Sequence, residues 1–254
     1  MRLKFGLVGS RISYSKSPPI HSLIMRISRI VGNYEIIDTP CFPDAGFLLS
    51  YNGLNITSPF KEDAIGLVHN LDLSAVRSGA VNTLLINGTV KGYNTDFLAT
   101  RYLIDARQFD THSALVFGSG GASKAAISAL IELGSEHIDV VARNPSKVKS
   151  LISFFGDSVH SYGGGRKNYS VVVNGQRPEG FSLISKNAYN ITFDSFIDFV
   201  YHAESPIIKL ASLNGIKGIT GRELLILQAI FSQEIWTGRD LSYLYSMEAF
   251  SNVV

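Results

Sequence analysis

The stretch Gly118-Ser119-Gly120-Gly121-Ala122-Ser123 constrains this chain more than any other. It follows the apolar run Ala114–Phe117 and leads into Ser123–Leu133, whose apolar spacing predicts a helix closed by Gly134. A strand turning on glycines straight into a helix opens a βαβ unit. Such a turn lets the backbone approach a phosphorylated ligand, with helix N-terminal amides facing the anion. Position six of the G-x-G-x-x-G pattern is Ser123, so the match is partial, and a plain structural turn is the competing reading.

The next strand, Ile138–Val141, sharpens the expectation. A cofactor with a free ribose 2′-hydroxyl meets an Asp or Glu at the end of this strand. Here the end reads Val140-Val141-Ala142-Arg143-Asn144-Pro145-Ser146-Lys147, and Asp139 lies too early to serve. Arg143, with a planar fork, and Lys147, a point charge, suit a 2′-phosphate instead. Two solvated surface cations are the alternative. The glycine turn upstream favours NADP.

Around this unit the chain alternates strands and helices. Leu3–Val8, Tyr34–Asp38 and Leu54–Thr57 read as strands; Pro18–Val31, Pro43–Tyr51 and Lys61–Asn70 read as helices. Asn87-Gly88 joins Ala80–Ile86 and Thr89–Tyr93 as a hairpin. A helix over Asp96–Ala106 leads to a second series starting at Ser113, with later strands at Val171–Val173 and Phe196–Tyr201. Helices at Pro206–Asn214 and Arg222–Trp236 close the chain. The expectation is an α/β protein of two domains. A mainly parallel α/β domain fills residues 1–97, and a Rossmann-type dinucleotide domain fills residues 98–220. The final helices, residues 221–254, pack back on the first domain.

Composition excludes several classes. Charged residues make up 17% and apolar ones 45% of 254, which describes a folded globular chain rather than a disordered one. A net charge of +2 with no block of like charges offers nothing to nucleic acid or a membrane surface. Cys41 is the single cysteine, so neither an intrachain disulfide nor a multi-cysteine metal cluster is expected. Met1–Ser10 holds too short an apolar run for a signal peptide, and no run approaches the roughly 20 residues that span a bilayer. A cytoplasmic setting is expected.

Small polar residues cluster beside the ends of the first strands. Ser15 and Ser17, two apart in an extended stretch before Pro18, can face one carboxylate, unless Ser17 merely caps a helix. Asn55 and Thr57 share one face of a strand that Pro59 ends. Lys61 opens the expected helix, where a cation is electrostatically unhelpful; a surface lysine is the competing reading. Asn82 offers both donor and acceptor to a polyhydroxylated ring, and Asp96 stands either as a helix cap or as a working carboxylate.

These segments, in this order and over nearly the whole chain, resemble the shikimate dehydrogenase family. The likeness rests on Ser15-Lys16-Ser17-Pro18, Asn55-Ile56-Thr57-Ser58-Pro59-Phe60-Lys61, Gly79-Ala80-Val81-Asn82-Thr83, Asn94-Thr95-Asp96, the Gly118–Ala122 loop and Gly221…Gln228-Ala229. It implies NADPH-dependent reduction of 3-dehydroshikimate, with Lys61 and Asp96 as catalytic pair. Ser15 and Ser17 would bind the substrate carboxylate, and Asn55, Thr57, Asn82, Tyr201 and Gln228 would surround the rest. Gly118, Ser119, Gly120, Gly121, Ala122, Arg143, Lys147 and Gly221 would hold NADP(H). A monomer or homodimer is expected.

The chain departs from the family pattern at Phe97, Ala142 and Glu223, and at Asn174-Gly175-Gln176, where Asn-Ala-Thr is common. Three other readings compete: an NAD-using quinate/shikimate dehydrogenase, a non-catalytic ligand sensor, and a relative of amino-acid or folate dehydrogenases. The absent strand-end acid, the retained Lys61 and Asp96, and the paired serines argue against them in turn.

Overall fold

Short runs rich in Val, Ile and Phe, bounded by glycine and polar residues, become the strands of two sheets. The computed structural model describes residues 2–188, 190–245, 247–250 and 253. The first sheet comprises β1 (Leu3–Gly9), β2 (Gly32–Asp38), β3 (Gly53–Ile56), β4 (Asn70–Leu71), β5 (Thr83–Ile86) and β6 (Val90–Tyr93), in the order β2-β1-β3-β5-β6-β4. β1 runs parallel to β2 and β3; β3, β5 and β6 are antiparallel, and β4 joins β6 in parallel. Gly88 turns the β5–β6 hairpin with a φ of +83°, which only glycine adopts cheaply.

The second sheet comprises β7 (Ser113–Phe117), β8 (His137–Val141), β9 (Val159–Ser161), β10 (Asn168–Asn174), β11 (Thr192–Asp198) and β12 (Gly218–Ile219). All its pairs are parallel and its order is β12-β11-β10-β7-β8-β9. That is the doubly wound dinucleotide-binding topology, with the order reversing between β7 and β10. The α/β class with a Rossmann-type second half is therefore the one observed.

The chain divides into two compact units. One is formed by the chain up to Leu98 together with the segment from Leu225 onward, the other by Ala99–Leu224. In the first, Phe5, Leu7, Ile20 and Ile24 share a core with Ile226, Ile230 and Trp236 from the helix Gly221–Thr237. The Trp236 indole stacks on Phe5 at 4.7 Å and donates to the Leu84 carbonyl at 2.9 Å. Among the described residues no helix is long and apolar enough to cross a membrane.

Local expectation and structure part at several places. Residues 61–70 do not form one helix; a 3₁₀ turn covers Asp63–Leu67 and β4 follows. Gly66 and shortness make an isolated helix costly there. Pairing wins instead: His69 N–H donates to Val90 O and Asp72 N–H to Gly92 O, both at 2.8 Å. β11 ends at Asp198 rather than Tyr201, because the Asp198 carboxylate takes the Val200 N–H at 2.8 Å and turns the chain. The helix Phe181–Ala188 occupies a region that reads as irregular in sequence.

Two outcomes test this packing. A Cβ on Gly53 would lie 2.3 Å from the Trp236 ring. Gly53→Ala should therefore cost about 1–3 kcal/mol in urea denaturation. His21 is buried against Tyr34, ring centroids 4.0 Å apart, and burial lowers its pKa from 6.5 to about 3. The unfolded chain takes up this proton at higher pH than the folded one. Stability should thus fall on acidification between those values, by at most about 1.4 kcal/mol per pH unit. The same titration on His21→Phe should show a shallower slope.

Candidate functional site

Within the first unit, the expected pair forms. β3 ends, the chain turns through Ser58-Pro59-Phe60, and Lys61 Nζ donates to Asp96 Oδ2. Both side chains are largely withdrawn from water, 17% and 16% exposed, so their attraction is weakly screened. Lys61 is held in place by its own carbonyl, which accepts the Val81 N–H at 2.9 Å. Asp96 does not cap its helix, Thr95–Ala106; Asn94 does, its Oδ1 accepting the Phe97 N–H at 3.0 Å. That leaves the Asp96 carboxylate in the first turn, where the helix dipole favours an anion.

A buried polar network adjoins β3 and β5. Asn55 donates through Nδ2 to Thr83 Oγ1 at 3.0 Å and Ser232 Oγ at 2.9 Å, and its Oδ1 accepts the Tyr34 phenol at 2.8 Å. Burial raises the Tyr34 pKa well above its usual value, so the phenol stays a donor. Asn82 Oδ1 accepts the Thr95 N–H at 2.7 Å and the hydroxyls of Thr95 and Thr83 at 3.1 and 3.0 Å. Gln228 joins weakly, Oε1 lying 3.5 Å from Thr95 Oγ1, while its Nε2 donates to Leu225 O at 2.8 Å.

Ser15 and Ser17 are brought together, Oγ to Oγ 3.2 Å. Ser17 is the first helical residue rather than a cap, and Ser15 Oγ accepts its N–H at 3.2 Å. Thr57 is half-buried beyond the end of β3, with its methyl against Gly9. Tyr34, Thr83, Thr95 and Ser232 escaped the sequence reading. Ser232 had one legible signal: it lies four residues after Gln228, on the same helix face.

In the second unit the glycine turn takes the expected form. Gly118 has a φ of +118°, and a Cβ there would sit 2.7 Å from Ser123 Oγ. Gly120 is extended, with nothing within 4 Å of its Cβ position. The helix Gly121–Glu132 has no side-chain cap, so its first amides keep their donors for a ligand, alongside Ser119 and Ala122. Arg143 and Lys147 are both exposed, one before and one inside the helix Pro145–Phe155. Asp139 is occupied elsewhere: its Oδ2 accepts the Tyr169 phenol at 2.7 Å and faces His137 at 3.0 Å.

Tyr201 follows β11 in a bend, with its ring edge-on to His202. Gly221 opens the last helix so close to Val200 that a Cβ would come 2.5 Å from its carbonyl oxygen. Asp198, unforeseen in sequence, ties this region together. It accepts from Asn174 Nδ2 at 3.1 Å, the Val200 N–H and the Ser205 hydroxyl, and burial raises its pKa.

The family described as Shikimate dehydrogenase substrate binding domain matches residues 7–84. A shikimate dehydrogenase (NADP(+)) of Saccharolobus islandicus is 32% identical, over 95% of this chain and 94% of its own length. A shikimate dehydrogenase of Sulfurisphaera tokodaii is 34% identical over 95% and 94%. Among solved structures, shikimate 5-dehydrogenase from Thermus thermophilus, in complex with NADP(H) and shikimate, superimposes with a TM-score of 0.82. It is 28% identical, covering 99% of this chain and 100% of its own. A quinate dehydrogenase from Corynebacterium glutamicum in complex with NAD, 24% identical and covering 98% of each chain, shares the fold with a TM-score of 0.80.

The glycine turn yields a paired outcome. Gly118→Ala forces a strained φ and should cost about 1–3 kcal/mol in thermal denaturation. Gly120→Ala should leave stability within about 0.5 kcal/mol. It should nevertheless weaken NADP⁺ in a fluorescence titration, because its methyl stands where the backbone must approach the ligand.

Proposed function

The chain belongs to the shikimate dehydrogenase family, and on that premise we propose that it reduces 3-dehydroshikimate to shikimate with NADPH, reversibly, through Lys61 and Asp96. The observation that carries this reading is the shielded ion pair between those two side chains.

The residues present fit NADP(H). The turn is open above Gly120, and the helix after it is uncapped. Arg143 and Lys147 are exposed where a 2′-phosphate belongs, and Asp139, the nearby acid, is occupied by Tyr169. Gly118, Ser119, Gly120, Gly121, Ala122 and Gly221 would line the remainder. When bound, the cofactor supplies the hydride.

Lys61, as an ammonium, donates a hydrogen bond to the ketone oxygen and steadies the negative charge that grows there. It then gives a proton to that oxygen; in the oxidative direction an unprotonated lysine takes one back. Asp96 orients the amine and accepts from the neighbouring hydroxyl. Ser15 and Ser17 donate to the substrate carboxylate, with Thr57 and Tyr201 on the same ligand. Asn82, its oxygen already engaged, donates through Nδ2, and Gln228 offers its second amide proton. Asn55 holds this shell in place through Thr83 and Ser232.

Steady-state kinetics test the assignment. Lys61→Ala should lose at least about 10²-fold in kcat and still bind shikimate. Near-normal turnover by the folded variant would overturn the role. Arg143→Ala should raise KM for NADPH about tenfold, with NADH little affected.

A further inference from the structure

Gln176 stands just past the end of β10, where the family pattern commonly has threonine. The preceding N–H, of Gly175, donates to Phe117 O at 2.8 Å, which sets this segment beside the glycine turn after β7. A Cβ on Gly118 would lie 3.1 Å from Gln176 Cγ. The Gln176 main-chain N–H is satisfied by Asn174 Oδ1 at 3.0 Å. Its carboxamide is not. The residue is 9% exposed, and Nε2 is sealed from solvent without a hydrogen bond to any described residue. Gly180 packs so tightly on the other end that a Cβ there would meet Gln176 Oε1 at 2.3 Å. The Ser123 hydroxyl, against the same turn, is likewise buried and unpaired among the described residues.

An unpaired buried donor is a standing cost to a fold, relieved when a ligand accepts from it. The sheet order reverses between β7 and β10, and a dinucleotide lies across that reversal. Arg143 and Lys147 follow β8 and claim the adenosine half with its 2′-phosphate. The β10 side is therefore left with the other half. The geometry points to Gln176 as a further cofactor-binding residue, its Nε2 donating to a ribose or pyrophosphate oxygen in the nicotinamide half of NADP(H). This rests on the reading that the chain binds NADP(H).

Calorimetric titration of the apoprotein with NADP⁺ and with the fragment adenosine 2′,5′-bisphosphate tests it, beside thermal denaturation without ligand. Gln176→Met should melt at or above the wild-type temperature, bind NADP⁺ roughly tenfold more weakly, and bind the fragment as before. Gln176→Glu, of equal size but anionic, should lose more for NADP⁺ and again spare the fragment; it decides the question if the Met variant does not fold. Unchanged NADP⁺ affinity in a folded variant, or equal weakening of both ligands, overturns the assignment. A wild-type protein that binds neither ligand would instead sink the functional reading itself.

Discussion

The Asn55 carboxamide is the constraint on which the first unit depends. With Nδ2 on Thr83 and Ser232 and Oδ1 under the Tyr34 phenol, one side chain ties β2, β3 and β5 to the last long helix. Water cannot substitute in that interior, so each donor has to find the partner this arrangement supplies. The consequence reaches the candidate site through Thr83 and Thr95, which lock the oxygen of Asn82 inward and leave its amide nitrogen as the remaining donor. Lys61 and Asp96 sit on the same frame, one after β3 and the other in the first turn of Thr95–Ala106.

The second unit solves a comparable problem with a carboxylate. Asp198 gathers the ends of β10 and β11 and the helix cap Ser205, and the close approach of Gly221 to Val200 fixes where the final helix starts. Glu223, a departure from the family pattern, has a local explanation here. It completes a capping box with Thr220, accepting the Thr220 N–H at 2.8 Å, and it pairs with Arg107. Phe97, another departure, is simply buried core at 2% exposure.

Much of this was legible in residue order. The glycine turn, the NG hairpin, the cations after β8 and the polar clusters after short strands are local signals, each set by backbone sterics or by spacing within one element. The misreadings share a cause too. Residues 61–70 carry a helix-compatible composition, yet β6 offered their backbone partners and they became a turn and a strand. Asp96 looked as fit to cap a helix as to serve a lysine; Asn94 took the cap and decided the matter.

What the sequence by itself determined was the chain's alternating α/β plan, its dinucleotide turn, and the short list of polar residues available for chemistry, because periodicity and glycine placement act over a few residues. Only the tertiary structure decided which of those groups are spent on one another and which stay available to a ligand. Asn55 and Asp139 are consumed by Tyr34 and Tyr169, while the Gln176 amide is buried without a partner among the described residues. Hydrogen-bond satisfaction is settled between segments far apart in the chain, where no local pattern carries the information.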